Sequence, residues 1–127
     1  MLVDDDQDDI DLFAEALREV DDQIILVTAY NGQQALDLLL QERAKPDHIF
    51  LDINMPIMNG IECLEQLNKR KKFPPPIVTI YSTSGKDSKT YDHCIRLGAR
   101  FLTKPTSFLG LIKAIQQHIL PVSTTSS

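Results

Sequence analysis

The feature that most constrains this chain is an alternation. Short apolar runs, rich in β-branched residues, are each followed by a longer stretch whose apolar residues recur at helical spacing. MLV (1–3), IILVTAY (24–30), HIFLD (48–52), IVTIYS (77–82) and RFLT (100–103) read as strands. IILVTAY is apolar almost without a break, the pattern of a strand buried on both faces. After the first run, Ile10, Phe13, Ala14, Leu17 and Val20 mark one face of a helix. Asn31-Gly32 turns the chain into a second helix over QQALDLLLQER, which Lys45-Pro46 breaks. Gly60 opens a third, with Ile61, Leu64 and Leu67 on one side. The run Pro74-Pro75-Pro76 excludes helix before the fourth strand. Tyr91, Ile95 and Arg96 belong to a fourth helix that stops at Gly98, and Phe108, Leu111, Ile112, Ile115 and Ile119 mark a fifth. Parallel neighbours need crossover connections, so strands that each lead into a helix predict a five-stranded parallel sheet covered by helices on both faces.

With 127 residues the chain has material for one core and one domain, expected over 1–120. PVSTTSS, at 121–127, carries no apolar pattern and is expected to be a disordered tail. A net charge of −5 argues against nucleic acid as a partner, because a phosphate backbone demands a basic face. Apolar runs stop short of the ~18 residues that suggest a membrane span. Cys63 and Cys94 form no CxxC pair and no secretory leader precedes the first strand, so reduced thiols and a cytoplasmic location are expected.

In open α/β sheets the functional groups gather beyond the carboxyl ends of the strands. The residues at those ends are not a random sample. The first predicted strand ends in Asp4-Asp5, the third in Asp52, the fourth in Ser82-Thr83, and the fifth runs into Lys104-Pro105. The second ends in Tyr30-Asn31, with nothing obviously chemical.

Six of the eight residues from Asp4 to Asp11 are aspartate. Asp8 and Asp9 read as helix-start carboxylates, favoured by capping and by the macrodipole. Asp4 and Asp5 directly follow MLV and so belong to the strand end. Two unit charges ~4 Å apart repel by roughly 4 kcal/mol at an effective dielectric of ~20. Asp4, Asp5 and Asp52 together therefore call for a proton or a cation. An all-oxygen set without His or Cys suits Mg²⁺, or Mn²⁺. Adding the Ser82 hydroxyl and the Lys104 ammonium gives a set that could hold a transferred phosphoryl group, with Asp52 as nucleophile.

In Val3-Asp4-Asp5, Leu51-Asp52-Ile53-Asn54-Met55-Pro56 with Asn59-Gly60, Ser82-Thr83-Ser84, and Gly98-Ala99 with Lys104-Pro105, the sequence resembles the receiver domain of two-component response regulators. The motifs span essentially the whole chain in register. The resemblance implies a flavodoxin-like (βα)5 fold and a single-domain, chemotaxis-regulator-like role in a phosphorelay. It implies that Asp52 accepts a phosphoryl group from a sensor histidine kinase or phosphotransfer protein. It further implies Mg²⁺ on Asp5, Asp52 and the backbone carbonyl of Asn54, with Asp4 direct or through water. Lys104 and Ser82 would hold the phosphoryl oxygens, and Thr83 and Phe101 would act in switching. Asn54 and Ser84 would tune dephosphorylation. Such a chain catalyses its own phosphorylation and dephosphorylation and is not a turnover enzyme. Its output would pass to a downstream protein, or to a homodimer, through the fourth helix, fifth strand and fifth helix. The Asp4–Asp9 run is also similar to that of stand-alone regulators paired with phytochrome-type kinases.

The sequence departs from the family pattern in three places. The first strand is only three residues deep, Ser82 stands where threonine is commoner, and one residue separates Ala99 from Phe101 where two are common. Phe101 as a plain core residue therefore stays open beside its switch role. Two other readings share part of the set. A haloacid-dehalogenase-type phosphatase needs a second aspartate two residues after the nucleophile, where this chain has Asn54. A pseudo-receiver would bind a partner without phosphorylation, although every residue for phosphorylation is present.

Overall fold

A computed structural model describes residues 1–70, 75–83 and 88–119. Ten elements alternate: β1 (Leu2–Val3), α1 (Gln7–Val20), β2 (Thr28–Ala29), α2 (Gly32–Leu40), β3 (His48–Leu51), α3 (Gly60–Lys69), β4 (Ile77–Ser82), α4 (Ser88–Arg96), β5 (Arg100–Thr103) and α5 (Phe108–Ile119). The strands form one parallel sheet in the order β2-β1-β3-β4-β5. The order reverses between β1 and β3, so a crevice opens outside their carboxyl ends. Asp4 and Asp52 are the residues that follow those two strands. The expected tail at 121–127 lies outside the described residues.

Strand alternation assigns side chains to two layers. Leu2, Phe50 and Tyr81 point to one face, where Ile10, Phe13, Ala16 and Leu17 of α1 meet Leu111 and Ile115 of α5. Phe13, Phe50 and Tyr81 pack edge to face, with centroids 5.1, 5.6 and 6.1 Å apart. Val3, Ile49, Leu51, Val78 and Ile80 point to the other face, under Leu36, Leu39, Cys63, Leu64 and Cys94. Neither cysteine is in a disulfide, and both are fully buried. Burial pushes the Cys63 thiol up to about 12. On this second face a groove of about 540 Å³ runs among Leu36, Leu39, Leu64, Leu67, Val78 and Leu97.

One strand expectation fails. Of the IILVTAY run, only Thr28–Ala29 is strand, and Ile25 is 85% exposed. The pairing observed is short: β1 pairs Leu2 with Thr28 and Val3 with Ala29, and the Leu2 N–H donates to the Val27 carbonyl at 2.9 Å, while the Ile24 N–H turns back to the Asp21 carbonyl. Apolar content alone cannot make a strand without a partner. The second helix is also shorter than its apolar pattern, ending at Leu40 and turning out through Glu42 at φ 54°.

The helices that start at strand ends are capped by side chains. Asp6 accepts from the backbone N–H groups of Asp8 and Asp9, and Asn31 from that of Gln34. Asn31, chemically silent in sequence, is thus the cap of α2. Asn59 and Glu62 form a reciprocal capping box at α3. Gly60 is required there by contact: a Cβ would stand 2.1 Å from the Asp52 carbonyl oxygen. The Gly60 N–H donates to the Ile53 carbonyl at 2.9 Å, fixing the start of α3 against the backbone next to Asp52.

Candidate functional site

The backbone sets the site before any side chain acts. The Asp52 N–H donates to the Val3 carbonyl at 3.0 Å and the Asp4 N–H to that of Ala29 at 3.0 Å, holding both aspartates at the end of the paired region. At the other side of β3, the Lys104 N–H donates to the Ser82 carbonyl at 3.0 Å. β4 ends at Ser82 and β5 at Thr103, so Ser82 and Lys104 reach the same edge as Asp52.

Asp4, Asp5 and Asp52 each offer a carboxylate oxygen, all within 4.8 Å of one another. Asp4 is fully buried, Asp52 nearly so, and Asp5 exposed, which leaves the cluster open to solvent on one side. Burial, offset by Lys104 and reinforced by Asp4, holds the Asp52 carboxyl above its ordinary range, while backbone hydrogen bonds at Asn54 and Ile53 oppose the rise. The donor set is all oxygen and carries more negative charge than the single ammonium beside it. That is the chemistry of a site for a hard divalent cation.

Lys104 Nζ lies 2.8 Å from Asp4 Oδ2, 2.7 Å from Asp9 Oδ2 and 3.5 Å from Asp52 Oδ2. It also sits 5.3 Å from the centroid of the Tyr81 ring, so the aromatic cluster forms one wall of the site. Burial alone would lower the lysine's affinity for its proton, but the hydrogen bonds to Asp4 and Asp9 more than offset it and raise the pKa. The ammonium is therefore a fixed positive charge at neutral pH.

The sequence candidates fall into three groups. Asp4, Asp5, Asp52, Ser82 and Lys104 come together at one sheet edge, with Ser82 fully buried. Asn54 and Thr83 stand at that edge but are exposed. Phe101 is half-buried and packs on Tyr91 of α4 at 5.6 Å between ring centroids, linking β5 to that helix. Ser84 lies outside the described residues. Two histidine side chains contact groups away from this edge: His93 meets Glu65 at 3.1 Å and His118 the Ala114 carbonyl at 2.9 Å.

Asp9 is the correction. Read from sequence as a helix-start carboxylate, it does donate its N–H to the Asp6 cap, but its side chain is spent on Lys104. The available signal was helical phase. Asp9 shares its face with Phe13, four residues on and buried, whereas Asp8 and Asp11 point to solvent.

The loop after Asp52 is strained. Ile57 has φ 70°, and the Met58 N–H donates to the Pro56 carbonyl at 2.7 Å across it, closing a three-residue γ-turn. A β-branched residue is a poor fit to that conformation, and Ile57 is also 81% exposed. The Met58 carbonyl in turn accepts from the Gly32 N–H at 3.1 Å, tying the loop to the start of α2.

The family model for the response regulator receiver domain matches residues 1–116. Among curated proteins, the chain is 41% identical over 103 residues to a protein-glutamate methylesterase/protein-glutamine glutaminase of Clostridium acetobutylicum, covering 80% of this chain and 29% of that protein. The curated relatives are longer, and the chain covers between 19% and 33% of their lengths. Among solved structures, the phosphorylated cyanobacterial phytochrome response regulator RcpA is similar over 97% of this chain and 94% of its own, at 29% identity and TM-score 0.85. The Mn²⁺-bound form of response regulator Rcp1 is similar over 99% of this chain and 96% of its own, at 26% identity and TM-score 0.80.

Proposed function

The chain belongs to the response regulator receiver domain family, and on that premise we propose that Asp52 accepts a phosphoryl group from a phosphohistidine on a sensor histidine kinase or phosphotransfer protein. The observation that carries this reading is the meeting of a buried carboxylate, two further carboxylates and a fixed ammonium at one sheet edge. An Asp52 carboxylate oxygen attacks phosphorus and the P–N bond breaks. The imidazole leaves with the electron pair and takes its proton from solvent. Lys104 neutralises charge on the transferred oxygens, and the Ser82 hydroxyl donates to one of them.

The acidic cluster fits Mg²⁺, with Mn²⁺ as a substitute, held by Asp4, Asp5, Asp52 and the Asn54 carbonyl. When bound, the ion supplies positive charge against the phosphoryl oxygens. Asn54 and Ser84 tune how long the phosphoryl group survives.

Phosphorylation adds roughly −1.5 to −2 charge at neutral pH, and the domain responds as a two-state element. Moving such an element from 1:99 to 99:1 takes about 5.5 kcal/mol of differential interaction, within reach of several charge-assisted hydrogen bonds. Ser82 and Thr83 move towards the phosphoryl group, and Phe101, packed on Tyr91, carries the change to α4. The surface of α4, β5 and α5, with exposed Ile95, Phe108 and Leu109, passes it to a downstream protein or to a second copy of the chain. No helix among the described residues is long and apolar enough to cross a membrane. Two cysteines outside any disulfide suit the cytoplasm, which we assign as its location.

The receiver module spans 1–120, and its role is that of a phosphoacceptor and not of a turnover enzyme. Intact-mass measurement after incubation with acetyl phosphate and Mg²⁺ tests this. Wild type gains one phosphoryl group and Asp52→Asn gains none; an adduct that survives the substitution overturns the assignment.

A further inference from the structure

We propose that Asp9 is a positioning residue that holds the Lys104 ammonium in the resting chain, so that a phosphoryl group on Asp52 must compete with it for the lysine. The inference rests on Asp52 as the acceptor. It goes beyond that reading because Asp9 is neither a candidate metal ligand nor needed to cap its helix.

Three observations carry it. A lysine has three N–H donors, and the contacts at 2.7 Å to Asp9 and 2.8 Å to Asp4 engage two of them at hydrogen-bond length. Asp52, at 3.5 Å, is beyond that length, so the resting ammonium sits with the other two carboxylates. The pair is also sheltered: the Lys104 side chain is 8% exposed and that of Asp9 32%. Such a contact is screened less than a surface ion pair.

The two partners differ in what releases them. Asp4 belongs to the three-carboxylate cluster, so a cation there draws its charge away from the lysine. Asp9 stands outside that cluster, on the first turn of α1, and its hold persists when the cation is bound. The cap of α1 is supplied by Asp6, so removing the Asp9 carboxylate leaves the helix start intact. Asp9 therefore sets a threshold: a tighter hold means weaker engagement of Lys104 by the phosphoryl group.

Beryllofluoride with Mg²⁺ serves as the phosphoryl probe, titrated by calorimetry into wild type, Asp9→Asn, Asp9→Glu and the exposed charge control Asp8→Asn. Asp9→Asn should bind about tenfold tighter, or about 1.4 kcal/mol. Asp8→Asn should stay within about twofold of wild type, the scale of an exposed charge, and Asp9→Glu should return towards it. A second, metal-free reading is the Lys104 side-chain ¹⁵N ammonium resonance, which should shift in Asp9→Asn and not in Asp8→Asn. If wild type takes up no beryllofluoride, the acceptor reading falls and this inference with it. Should wild type bind while Asp9→Asn binds no tighter than Asp8→Asn, or the ammonium resonance stay put, the role of Asp9 alone is overturned.

Discussion

The apolar layer beneath the sheet and the charged rim at its carboxyl end are built on opposite terms. In the layer, Phe13, Phe50 and Tyr81 interlock at centroid distances of 5.1 to 6.1 Å and every large side chain has neighbours. At the rim, three carboxylates crowd together, one lysine is shared among Asp4, Asp9 and Asp52, and Ile57 is held at φ 70°. The layer brings apolar rings together and the rim brings like charges together. Strain of this kind persists only where the surrounding structure enforces it, and it suits a site whose work is to change state. Core substitutions should therefore lose stability, while some at the rim should gain it at the expense of function.

Four substitutions probe that contrast, each read by urea denaturation of the metal-free chain. Phe13→Ala removes the ring at the centre of the aromatic layer and should cost about 3–5 kcal/mol. Leu64→Ala, on the other face, should cost about 2–5 kcal/mol, because Leu64 is as fully buried as Phe13 but its removal leaves a smaller void. A loss of less than about 1 kcal/mol at either site would show that the layer is not held by that side chain. Ile57→Gly reverses the sign, with a gain of about 1 kcal/mol from releasing the γ-turn, less any entropy regained by the unfolded chain. A loss there would show that the turn is not strained.

The smallest effect is expected from Asp52→Asn, and it depends on pH. Burial raises the folded-state pKa of Asp52 above its unfolded value. Its contribution to stability is then full below the unfolded carboxylate range and is lost as pH rises through the folded value. Ionised Asp52 thus weighs against the fold at neutral pH, and the asparagine variant should be the more stable there. The gain should fade as the pH is lowered and wild type takes up its proton. A gain independent of pH would assign the effect to packing.

Most of the architecture was legible because strands and helices here carry opposite periodicities and their carboxyl ends carry the chemistry. Asp4, Asp5, Asp52, Ser82 and Lys104 could be placed from chain order alone, since each directly follows an apolar run. Two things were not legible in that way. Whether IILVTAY is a strand depends on how far β1 extends beside it, a pairing that no local pattern records. Asp9 looked like its neighbours because a carboxylate at a helix start is favoured whatever it faces. Helical phase with Phe13 sets it apart from Asp8, but its partner, Lys104, is 95 positions away and no local pattern names it.

The two buried thiols have a use that their position dictates. A thiolate is the reactive form, and burial keeps the Cys63 sulfhydryl protonated with a pKa of about 12, against the carbonyl of Gly32 and out of reach of any reagent. Cys94, on α4 itself, is equally enclosed on the same face. Alkylation at neutral pH must therefore wait for that layer to part. The chain carries its own clock for opening on the side where α4 would shift, readable without any added label.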